Sequence, residues 1–190
     1  RAKSGGTLYV RPIAGLQALD EAIGRATEMG RPVLYVPGLS DMSEVGTFAA
    51  ITILSRLARR IAEIGADIDV PCYDPVVMTV LDAAPREAYR LAGRPDSFRT
   101  GCGHYVSAQQ FAYVAAVNGI MLRDRPAANI YMGSFYAESL LLAETGNTTG
   151  AIQIAGTDKV TQLPFFICAC DYTLLGEDLF AASAYLGREP

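Results

Sequence analysis

Pro32-Val33-Leu34-Tyr35-Val36-Pro37-Gly38 precedes, after a short polar stretch, an apolar series at Val45, Phe48, Ile51, Leu54, Leu57, Ile61 and Ile64. An unbroken apolar run ending in Pro-Gly is the pattern of a strand buried on both faces. The series that follows recurs every three or four residues, which is one side of a helix. Ser43 is suited to be its N-cap, and Gly65 closes it. A strand with no polar face that feeds directly into an amphipathic helix is the repeating unit of a parallel α/β sheet.

The same alternation extends in both directions. Upstream, Thr7–Val10 reads as a strand stopped by Arg11-Pro12, and Leu16, Leu19, Ile23, Ala26 and Met29 form a helical stripe ended by Gly30. Downstream, Asp67–Cys72 is a strand, and Asp74-Pro75 opens a helix to Leu91 that Pro85 should kink or split. Residues Gly93–Tyr105 read as a loop, with a brief strand near Tyr105–Val106. Ser107 then caps a helix over Ala108–Arg123, and Ala127–Met132 is the next strand. A helix over Tyr136–Glu144, a turn over Gly146–Gly150 and strands at Ala151–Ala155 and Phe165–Cys170 follow, before a last helix at Glu177–Leu186. The expected architecture is one α/β domain spanning residues 1–190. Its sheet is doubly wound and mostly parallel, of about six strands, with helices on both faces.

Composition limits the partners. Hydrophobic residues make up 51% of the chain and charged residues 19%, with a mean hydropathy of +0.20 and a net charge of −4. So thin a supply of charge predicts surface buried against a partner, most simply a second copy of the chain. Nucleic acid is not an expected partner, because no Lys/Arg run exists, and Arg56, Arg59 and Arg60 read as a solvated helix face. No stretch approaches the roughly 18 apolar residues of a membrane span. The chain opens on Arg-Ala-Lys-Ser-Gly-Gly without a Met, which reads as a piece of a longer protein. Four cysteines in a chain of core-forming length read as buried thiols of a reducing compartment.

Ligands of open parallel sheets sit outside the carboxyl ends of the strands. Those ends carry Asp41, Asp74, Ser134, Asp158 and Asp171, the candidate ligand-binding residues. Each is equally suited to a turn or a helix cap. Their acidic bias favours a cation or a hydroxylated ligand over a phosphate. No cofactor is expected: Gly-x-Gly-x-x-Gly is missing after the first strand, and there is no Gly-Lys-Ser/Thr phosphate loop. Cys102, His104, Cys168 and Cys170 could in principle supply four zinc ligands, but their one-residue spacings are unusual for zinc and favour packing. His104 is the only histidine, and no Gly-x-Ser-x-Gly elbow exists, so no triad hydrolase and no catalytic residue is assigned. Glu138 is expected on a helix surface.

The runs Thr7–Ile13, Gly30–Gly38, Asp74–Val80, Tyr136–Asn147, Gly150–Thr157 and Asp171–Leu174 together resemble an uncharacterised bacterial family, a domain of unknown function found in membrane-associated proteins. The likeness covers nearly the whole chain. It implies a soluble domain joined to transmembrane segments outside this region, held at the membrane on the cytoplasmic side as an oligomer. It implies no activity, cofactor or catalytic residue.

Two functions are therefore expected. The first is a non-enzymatic assembly domain that self-associates through apolar helix faces. The second is a small-ligand or enzymatic domain using the Asp41, Asp74, Ser134, Asp158 and Asp171 rim.

Overall fold

A computed structural model describes residues 14–186 of the chain, with side chains over 17–184. The elements are α1 (Ala14–Met29), β1 (Val33–Val36), α2 (Val45–Ile64), β2 (Ile68–Cys72), α3 (Pro75–Leu91), β3 (Gly103–Tyr105) and α4 (Gln110–Asp124). They continue with β4 (Ala128–Gly133), α5 (Ser139–Thr149), β5 (Ile152–Thr157), α6 (Leu163–Ala169), β6 (Tyr172–Leu175) and α7 (Glu177–Leu186). The six strands form one sheet in the order β3-β2-β1-β4-β5-β6, and every neighbouring pair is parallel. This is the doubly wound, Rossmann-like order, in which the chain reverses its direction of travel across the sheet between β1 and β4.

Strand alternation divides the core in two. Val33 and Tyr35 of β1, with Ala128, Ile130 and Met132 of β4, pack among residues of α1, α2, α3 and α7. Leu34, Val36 and Tyr131 pack on the opposite face among Tyr113, Val114 and Val117 of α4, Leu142 and Ala143 of α5, and Phe166 of α6. Every residue of β1 and β4 is buried, which is why their sequences show no polar alternation. Among the described residues no helix is long and apolar enough to cross a membrane.

Several local expectations need correction. The run Phe165–Cys170 is not a strand. Phe165–Ala169 lies in α6, with Cys170 just after it; Pro164 sits in the first turn and only Leu163 and Phe166 are buried, a spacing of three. A short apolar run is compatible with either structure, and here the strand comes after it, at Tyr172–Leu175. The helix α5 starts at Ser139 and runs through Gly146 to Thr149, so the turn is confined to Gly150, at φ 72°. Pro85 does not split α3, because it is buried inside a helix packed on α2, and proline removes only one backbone donor. Glu44, not Ser43, holds the N-cap position of α2. The brief edge strand is Gly103–Tyr105. The strand expected at Thr7–Val10 lies outside the described residues.

Candidate functional site

At the reversal point, the loops after β1 and β4 touch backbone to backbone. Gly38 has φ 84°, and a Cβ there would lie 2.6 Å from the Ser134 carbonyl oxygen and 2.8 Å from its nitrogen. Gly133 has φ 130°, and the Leu39 N–H donates to the Ser134 carbonyl at 2.9 Å. Glycine is needed at both positions, for conformation and for the close approach. The crevice that holds a cofactor's phosphates in many sheets of this order is here closed by main chain.

The amino end of α2 faces the same junction and is also occupied. A Cβ on Gly46 would meet Ser134 Oγ at 2.6 Å and Asp158 Oδ1 at 3.0 Å. The carboxylate of Asp158, from the loop after β5, therefore lies where a helix amino terminus would otherwise receive an anion. Lys159 Nζ is 2.9 Å from Glu44 Oε2 and 3.5 Å from Asp158 Oδ2. The hydrogen bond to Glu44 raises the Lys159 pKa. Among the described residues, Ser134 Oγ, Thr47 Oγ1 and Asp158 Oδ1 are buried and reach no hydrogen-bond partner.

Open space lies to one side of this closed junction. A cavity of about 400 Å³ is lined by Leu39 after β1, Tyr73 after β2, Gln110 at the start of α4, and Tyr136 and Ala137 between β4 and α5. Behind two of these residues lies Glu138, whose side chain is entirely buried. Its Oε1 accepts from the Tyr136 backbone N–H at 2.7 Å, and its Oε2 accepts from Gln110 Nε2 at 2.5 Å. Tyr73 meets Tyr113 edge-on, with ring centroids 5.8 Å apart, and the Tyr113 hydroxyl donates to the Pro71 carbonyl at 2.8 Å. The Tyr136 hydroxyl is 3.3 Å from Ser40 Oγ, and Lys159 Nζ lies 5.8 Å from the Tyr136 ring centre. Both aromatic walls are thus braced by neighbours.

The five residues of the expected rim do not converge. Ser134 and Asp158 meet across Gly46, as described. Asp41 is exposed, and its Oδ1 accepts from the Ser43 backbone N–H and hydroxyl, which lowers its pKa. Asp74 caps α3 by accepting from the Val76 and Val77 N–H groups at 2.8 and 2.9 Å. Asp171 falls at the opposite end of the sheet, because the residues before it are helical. It precedes β6 and accepts from the Gln153 N–H at 2.8 Å.

The four residues weighed as zinc ligands are also separated. Cys102 and His104 lie at the β3 edge and Cys168 and Cys170 beside β6 at the other, about 24 Å across five strand spacings. Cys168 is exposed rather than packed. His104 Nδ1 is 3.3 Å from Asp69 Oδ1, and burial raises the Asp69 pKa despite that neighbour. Among the described residues no group of three or more His, Cys, Asp or Glu could hold a metal ion.

Sequence reasoning misplaced Glu138 and did not single out Gln110, Tyr73 or Tyr136. The available signal was an acidic residue among Tyr136, Ala137, Leu140 and Leu141, an apolar setting that requires a partner if buried.

No curated protein and no solved structure matches the chain. One family does, over residues 1–190, and the chain, with its parallel sheet and closed reversal point, belongs to the family described as Domain of unknown function (DUF6754).

Proposed function

We propose that this domain binds a small organic ligand in the cavity bounded by Leu39, Tyr73, Gln110, Tyr136 and Ala137. The observation that carries this reading is the fully buried Glu138 carboxylate, held by Gln110 and the Tyr136 backbone directly behind the cavity wall. A concave, partly aromatic space with a few fixed polar groups, at the carboxyl ends of a doubly wound sheet, is where such folds place ligands. Ala137 is exposed at the cavity wall, so Ala137→Phe would fill the space without disturbing the core. A ligand-observed NMR screen of small ring compounds should find binders that Ala137→Phe no longer holds. A screen with no such binder would refute the reading.

A second reading, self-association, is supported by the contrast between the two sheet edges. The β3 edge is three residues long and carries the His104–Asp69 pair. The β6 edge exposes Tyr172 and Leu175, with Phe165 and Ile167 of α6 and Phe180 of α7 also exposed, and β6 itself holds no charged residue. Unguarded apolar edges pair readily, and a second copy related by a two-fold axis offers an identical strand in antiparallel orientation. Light scattering should show a dimer that Ile167→Lys with Leu175→Lys converts to monomer; a monomeric parent chain would exclude it. A cytoplasmic position at the membrane, as the family likeness implies, is tested with the exposed Cys168 in intact cells. A membrane-impermeant maleimide should label it only after lysis.

A further inference from the structure

We infer that Glu138 fixes the polarity of the cavity: it holds the Gln110 amide so that the carboxamide oxygen is offered to the ligand, and selects uncharged ring compounds with a hydroxyl or N–H donor. This rests on the binding reading above. A carboxylate only accepts hydrogen bonds, so the atom of Gln110 that faces it must be the nitrogen. Gln110 Nε2 lies 2.5 Å from Glu138 Oε2. The other carboxylate oxygen is engaged by the Tyr136 N–H at 2.7 Å, so the carboxylate is held from two sides and cannot turn without losing a buried bond. The amide is planar, with oxygen and nitrogen on opposite sides of its carbon, and pinning one end directs the other away from Glu138. Gln110 is partly exposed and lines the cavity, so its oxygen remains available to accept.

The rest of the wall agrees with this selection. Tyr73 and Tyr136 present ring surface, and Leu39 and Ala137 are apolar, which suits a flat or saturated ring. Among the described residues no cationic side chain lines the cavity, and Lys159, beside Tyr136, is engaged by Glu44 and Asp158. An anionic ligand would meet the Glu138 charge without compensation. Glu138 is in this sense a positioning residue, acting on the ligand through Gln110.

Three probes that share one ring separate these effects: phenol, anisole and phenyl phosphate. Titrations of the full chain followed by NMR should show phenol binding about five-fold more tightly than anisole, the worth of one ordinary hydrogen bond. Phenyl phosphate should not bind, and Ala137→Phe should abolish all binding. In Glu138→Gln the amide at 138 can donate or accept, Gln110 is free to turn over, and the phenol-to-anisole ratio should fall towards one. Gln110→Met removes the acceptor while leaving Glu138 in place, and should collapse the ratio in the same way. A ratio that survives both substitutions, or tight binding of phenyl phosphate, overturns the inference while leaving the cavity reading intact. Failure of all three probes and of the wider screen overturns both.

Discussion

Two helical glycines should respond in opposite directions to the same substitution. Gly146 lies in α5 over a group of buried polar atoms. A Cβ there would stand 2.7 Å from both Asn129 Nδ2 and Tyr131 Oη, and closer still to Gln153 Oε1. None of this yields easily, because Gln153 is fixed by bonds to the Ala143 carbonyl (2.9 Å), the Ala169 carbonyl (2.7 Å) and the Tyr131 hydroxyl (2.7 Å). Relief requires overpacking, at about 1–3 kcal/mol, and the loss of at least one buried hydrogen bond, at about 1–3 kcal/mol. The better helix propensity of alanine returns about 1 kcal/mol. Gly146→Ala should therefore cost about 3 kcal/mol, lowering Tm by roughly 6–12 °C in a chain of this length. Gly119, inside α4, has no atom of the described residues within 4 Å of its Cβ position. Gly119→Ala should gain about 0.5–1 kcal/mol, a rise of roughly 1–4 °C. Urea unfolding followed by far-UV circular dichroism would measure both. A Gly146→Ala protein as stable as the parent would show that the Asn129, Tyr131 and Gln153 group is not packed against α5 as described.

Other outcomes follow from single contacts. The Tyr89 hydroxyl donates to the Ala66 carbonyl at 2.6 Å in a buried setting, so Tyr89→Phe should cost about 1–3 kcal/mol in the same unfolding assay. Burial pushes the thiols of Cys72 and Cys170 up to about 12 and that of Cys102 up to about 11, whereas Cys168 is exposed. Mass spectrometry after brief iodoacetamide treatment at pH 8 should accordingly find Cys168 modified first. Desolvation raises the Asp69 pKa above its ordinary value, so the folded state holds that proton more tightly than the unfolded one. Its contribution to stability is present below the unfolded pKa and lost as pH rises through the folded pKa. The stability of Asp69→Asn relative to the parent should thus increase between pH 3.5 and pH 6, and a pH-independent difference would contradict the assignment.

The extent to which this fold was legible follows from which residues carry local signals. Val33–Val36 and Ala127–Met132 are buried on both faces, so their patterns needed no knowledge of the rest of the chain. Phe165–Cys170 looks the same by composition, yet Phe166 alone of its residues is fully buried, and Phe165, Ile167 and Cys168 lie on the exposed side of α6. That difference is tertiary and has no local signature. The strand order was likewise invisible, since β1 pairs with β4 across nearly one hundred residues of sequence. The same limit governed the site. Acidic residues at strand ends are visible one by one, but the use of Asp74 as a cap and Asp158 as an internal counter-charge depends on what folds against them. Glu138 was misplaced on the surface because its partner Gln110 lies 28 residues away, and only the packing of α4 beside α5 brings the two together.

The closed reversal point and the displaced cavity have a common cause. In doubly wound sheets that bind phosphates, the helix amino terminus after β1 supplies free N–H groups, and the loop before it stands clear of the neighbouring strand. Here Gly38 and Gly133 bring the two loops into van der Waals contact, and Gly46 admits Ser134 and Asp158 against the start of α2. The Asp158 carboxylate then stands against the first turn of α2, and an external anion at that position would have to displace it. With that corner filled, space remains on the α4–α5 face of the sheet, beside Gln110 and Tyr136. Behind that space lies the buried Glu138 carboxylate, bonded to Gln110 and to the Tyr136 N–H. Three glycines and one aspartate thus fill the corner where a fold of this topology usually presents a helix amino terminus to an anion.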